Sequence, residues 1–126
     1  MYDKDIFCWA KRDLVWAALS RRTHDNARNA EFDFIEFLLE GAIIHGKITK
    51  DDVECAIRYS GILDYVSITD RERTEAVERM WQQGERYIGV LSREQREELK
   101  LLHELCDRLT HDGDLSVLQQ IVDLIR

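Results

Sequence analysis

Ser92-Arg-Glu-Gln-Arg-Glu-Glu-Leu-Lys-Leu-Leu-His-Glu-Leu-Cys-Asp-Arg-Leu-Thr-His-Asp-Gly113 decides the fold class. Ser92 with Gln95 three positions later has the spacing of a helix N-cap and its N3 acceptor. Leu99, Leu102, Leu105, Cys106 and Leu109 then recur at three and four, the period of one helix face. Gly113 follows where a C-cap glycine stands. The same grammar extends outward in both directions. Thr49 with Asp52 and Thr69 with Glu72 repeat the start signal, and Gly46 and Gly61 repeat the stop. Asp114 can cap a last segment alone. Apolar stripes fill the intervals: Ile35, Leu38, Leu39, Ala42 and Ile43, then Val53, Ala56 and Ile57. Val77, Met80, Trp81, Gly84, Tyr87, Ile88 and Leu91 follow, and Leu118, Ile121, Val122 and Ile125 close the chain. Strict alternation over a strand's length does not occur.

The pattern predicts six helices, at about 3–21, 31–45, 50–60, 70–90, 93–111 and 115–125. Ser20 to Asn29 reads as a polar loop. Ile62 to Val66 fits a helical turn or an extended link, packed inward either way. The expected fold is all-α: a compact single-domain bundle over residues 1–126, with short Gly- and cap-marked turns between antiparallel neighbours.

Composition agrees with one domain. The chain has 126 residues, 44% hydrophobic and 34% charged, enough for a self-supporting core under a solvated surface. It lacks proline, so glycine and caps must supply the punctuation. No apolar run reaches the ~18 residues of a membrane span, and the first residues lack a signal-peptide pattern. Cys8, Cys55 and Cys106 are odd in number and widely spaced, which reads as three buried thiols in a reducing cytoplasm. Net charge is −7, spread along the chain, and no basic stripe supports duplex DNA binding. Arginine outnumbers lysine 13 to 5, a balance suited to ion pairs and protein interfaces.

An internal echo runs at an offset of 67 residues. Leu38-Leu39, Ala42 and Gly46 to Thr49 match Leu105-Cys106, Leu109 and Gly113 to Ser116. Each reads as helix, glycine stop, an aliphatic plugging the corner, a hydroxyl cap, and a second helix. The corner resembles the helical hairpins of tellurite-resistance TerB-type domains, which carry Asp-Gly there. Asp112-Gly113 matches that pattern and His45-Gly46 does not. The acidic partner expected in the following helix is replaced after Gly113 by Leu118, Gln119 and Gln120.

Motifs for chemistry are sparse. A phosphate-binding glycine loop, Gly-x-Ser-x-Gly and Glu-x-x-His do not occur. His103-x-x-Cys106 lacks the second pair of a structural zinc site. His103, Asp107 and His111 share a helix face and could hold a metal, but a solvated flank explains them as well, so neither metal nor cofactor is expected. Arg96 and His103 lie seven residues apart, with Asp107 within about 40° on the wheel. This spacing resembles the Arg-x4–6-His of metal-independent HEPN-type ribonucleases. That resemblance would make His103 the acid or base and Arg96 the phosphoryl stabiliser. Glu97 follows Arg96 where those enzymes prefer an amide or Asp.

Surface patterning carries the functional expectation. The first helix has its core stripe at Phe7, Ala10, Leu14, Ala17 and Ala18, yet Trp9 and Trp16 project almost opposite, beside Arg12 and Asp13. Either the other helices wrap this one completely, or the tryptophans form a partner surface, whose hot spots favour Trp and Arg. Asp33, Glu36 and Glu40 form an acidic ridge on the side of the second helix away from Ile35, Leu38 and Leu39. The expected function is a non-catalytic interaction module: a small acidic stoichiometric inhibitor or adaptor of a protein or ribonucleoprotein, similar in type to phage-encoded anti-CRISPR proteins. The expected location is the cytoplasm, away from membranes. Alternatives are the HEPN-like nuclease and a self-associating, homodimeric helical-hairpin stress or scaffold domain.

Overall fold

A computed structural model describes residues 2–20 and 26–126. It places α1 at Tyr2–Leu19, α2 at Asn26–His45, α3 at Lys50–Ser60, α4 at Asp70–Ile88, α5 at Arg93–Asp112 and α6 at Leu118–Ile125. Two short 3-10 turns lie at Ile62–Tyr65 and Leu115–Val117, and the described residues contain no strand. The chain is therefore an all-α bundle. None of its described helices is long and apolar enough to cross a membrane.

Helix starts follow the caps. Thr49, Thr69 and Ser92 each accept from the N3 backbone amide, and Asp52, Glu72 and Gln95 each accept from the cap's own amide. These reciprocal bonds satisfy donors that the helix itself leaves orphaned. Gly46 stops α2 at φ +76° and its carbonyl accepts from Leu91 N at 2.6 Å, which ties the α2–α3 corner to the α4–α5 corner. Ile48 plugs that corner, buried against Gly84 of α4, where a Cβ would stand 3.4 Å from its methyls.

Four boundaries differ from expectation by two residues or more, the first being α1, which ends at Leu19 and not at 21. α2 begins at Asn26, so only residues 21–25 of the polar stretch lie outside the described residues; Ala30 and Phe32 are buried and anchor the second turn. α4 ends at Ile88 because Gly89 turns to φ +63°, ψ −148°. The second corner of the 67-residue echo also departs from the first. Asp114 caps a 3-10 turn by accepting from Ser116 N, Leu115 is 70% exposed, and Val117 is the buried plug. α6 consequently starts three residues late.

The core joins Leu14, Leu39, Ile48, Val53, Leu99, Leu102, Leu105, Cys106 and Val117. α1 packs against α2, α4, α5 and α6, and α2 against α1, α3 and α5. Ala10, Ala17 and Ala18 on α1 are buried, small side chains that let neighbouring helices approach. Lys11 is buried too, its ammonium 2.8 Å from Glu98 on α5. A buried charge needs such a partner. Of the cysteines, only Cys106 is buried; Cys8 is half-buried and Cys55 exposed. This corrects the reading of three buried thiols: Cys55 lies off the Val53–Ala56–Ile57 stripe that α3 turns inward.

Candidate functional site

Two places on the bundle gather the residues singled out above. The first is the outer face of α1. Trp9 is 60% and Trp16 47% exposed, although four helices pack around α1. Arg12 and Leu19, at the same helical spacing, are exposed as well. The Arg12 guanidinium sits 5.7 Å from the Trp9 ring centroid, within cation–π range. Trp16 is also tied inward: its ring meets that of buried Phe32 edge-on, 4.7 Å between centroids. Asp13 is half-buried and accepts a short hydrogen bond from the Tyr87 hydroxyl. Burial, and then the Asp13 carboxylate, push the Tyr87 phenol above its ordinary value. Asp13 therefore braces α1 to α4 and does not join the outer strip.

The second place is the seam between α2 and α5. Glu36 is 4% exposed, not part of a solvated ridge. The acidic-ridge expectation fails there because α5 crosses that face of α2, giving α2 two buried sides. His103 Nε2 lies 3.3 Å from Glu36 Oε1 and 3.1 Å from Glu40 Oε1. Its Nδ1 lies 3.8 Å from Asp107 Oδ2. Hydrogen bonding to Glu36 and then Glu40 outweighs the opposing effect of burial and raises the His103 pKa to about 10. Asp33, one turn earlier, is half-buried.

Arg96 is separate from this group. Its Nε donates to the Ile43 carbonyl at 3.1 Å and its guanidinium also reaches the Ile44 carbonyl. It thus closes the C-terminus of α2, where a cation suits both the orphan carbonyls and the helix dipole. His111 is exposed one turn beyond Asp107 on α5, its Nδ1 3.9 Å from Asp107 Oδ1. The nuclease reading gains nothing from this geometry. A ring held as imidazolium by two carboxylates is a poor base at neutral pH, and those carboxylates repel a phosphodiester.

Sequence reasoning placed Glu36 and Glu40 on one ridge and His103 on another face, and missed that they meet. No local signal marks the meeting: the 67-residue echo equates Glu36 with His103 and Glu40 with Asp107 as repeat positions, whereas Glu40 meets His103. Comparison with protein families, with curated proteins and with solved structures finds no match to this chain.

Proposed function

We propose that this chain is a non-catalytic docking protein that binds a protein partner through the outer face of α1. The observation that carries the reading is the exposure of two indoles, Trp9 at 60% and Trp16 at 47%, on a helix whose opposite face is core. Trp and Arg at the centre of a patch are the residues that most often dominate binding energy. The fitting partner surface is an apolar pocket with a carboxylate at its rim, placed for Arg12. With a net charge of −7 the chain suits a role as a stoichiometric inhibitor or adaptor of a cytoplasmic protein or nucleoprotein complex. Affinity capture with wild-type chain and with Trp9→Ala, followed by reconstitution with the captured protein, tests it. A defined complex lost in Trp9→Ala supports docking. A wild-type chain that only pairs with itself in sedimentation, or captures only nucleic acid, refutes it.

A further inference from the structure

We propose that Glu36, Glu40 and His103 form a binding site for one divalent transition-metal cation in the seam between α2 and α5. Three observations carry this. The first is the donor set. Two carboxylate oxygens and one imidazole nitrogen, from two helices, lie within 4.8 Å of one another. Nε2 stands 3.3 Å and 3.1 Å from the two oxygens. With metal–ligand bonds of about 2.0–2.2 Å, neighbouring donors of a tetrahedral or octahedral shell stand roughly 3.0–3.4 Å apart. The spacing therefore suits a cation in the place where the Nε2 proton now sits.

The second observation is burial. Glu36 is 4% exposed, so its carboxylate is a built element of the seam and not one of many acids on the surface. Buried carboxylates persist where they are paired or bind a metal. Binding would release the Nε2 proton to solvent, and the two carboxylates with the neutral imidazole so formed would leave a dication with no net charge.

The third is the surroundings. Asp107 stands 3.8 Å from Nδ1, on the ring edge opposite the donors. At that distance it makes no hydrogen bond to the ring, and it adds negative charge beside it. An open cavity of about 270 Å³, bounded by Glu40, Ile43, Ile44, Lys100, His103 and Glu104, adjoins the donors and gives water or another ligand room to complete the shell, with the Lys100 ammonium also on its wall. Imidazole beside carboxylate selects first-row transition ions over magnesium. The site uses α2 and α5, not the outer strip of α1, so it stands or falls independently of the docking proposal.

Chelator-treated full-length chain is titrated with Zn²⁺ by calorimetry, and with Co²⁺ by absorption, at pH 7.5. The expected result is one equivalent of Zn²⁺, with a Co²⁺ spectrum free of thiolate charge transfer. Binding should weaken at least ~10-fold in Glu40→Gln and in His103→Gln, and stay unchanged in His111→Gln. Glu40 is partly exposed, and its amide keeps the shape, so Glu40→Gln remains informative where His103→Gln unfolds. Mg²⁺ should bind at least ~100-fold more weakly than Zn²⁺. Folded wild type that takes up no Zn²⁺ at millimolar concentration overturns the proposal. So does binding that is unaffected in Glu40→Gln, or that moves with His111 or Cys55.

Discussion

Removing the His103 ring from the metal-free chain should expose how strongly the seam depends on it. In His103→Gln, Glu36 stays 4% exposed but loses the cation 3.3 Å away. Breaking a buried charged pair costs up to about 3–5 kcal/mol, an upper bound here because Glu36 keeps a further interaction. His103→Gln in chelator should therefore lose up to that much in urea unfolding, with an unchanged m-value. Glu36→Gln/His103→Gln should recover most of it, because the amide pair leaves no buried charge. The pH dependence has a definite sign. The folded pKa is raised to about 10 from an ordinary 6.5, so the folded state holds its proton over a range where the unfolded state has lost it. The contribution is fully present below pH 6.5 and fades as pH rises toward and through 10, by at most ~1.4 kcal/mol per pH unit. The stability gap between wild type and His103→Gln should narrow over that window. A gap under ~1 kcal/mol at pH 6, or one that widens with pH, would refute the ion-pair account of the seam.

Other outcomes follow from single residues. Trp16→Ala should cost about 1–2 kcal/mol because the edge contact with Phe32 goes, while Trp9→Ala should stay within ~0.5 kcal/mol of wild type; urea melts separate them. Gly46→Ala should be more destabilising than Gly113→Ala. Both sit at positive φ, but only at Gly46 does a new Cβ meet a side chain, Arg96 Cδ at 3.3 Å; thermal melts give the order. A thiol reagent should label exposed Cys55 first and Cys106 only on unfolding, since burial pushes the Cys106 thiol up to about 12; mass mapping of the labelled peptides reads this.

Much of the fold was legible because helix signals are local. Ser92 with Gln95, or Thr49 with Asp52, states a start within four residues, and the structure realises both capping boxes. The α1 core stripe, Phe7 to Ala18, is buried as its period requires. Where reading failed, the cause was tertiary. A helical wheel assigns one apolar face per helix, but α2 packs against α1 and α3 and also against α5. Glu36 therefore read as solvent-facing when it is interior. Arg96 entered only an alternative reading, as one member of a nuclease-like pair, and its role as a cap on α2 depends on a contact 53 residues away. Asp13 read as part of the outer strip, and its tie to Tyr87 on α4 spans 74 residues. Trp9 and Trp16 were legible as surplus to the core stripe. The partial anchoring of Trp16 on Phe32 was not, because it rests on how α1 and α2 pack together.

The central claim is that the uncovered indoles of α1 hold another protein. The affinity of Trp9→Ala for the reconstituted partner, measured beside its unfolding midpoint, tests this most directly. A loss of about 30-fold or more, roughly 2 kcal/mol, with an unshifted midpoint is the expected result. Wild-type affinity in Trp9→Ala, or a loss that appears only as the domain unfolds, would contradict it.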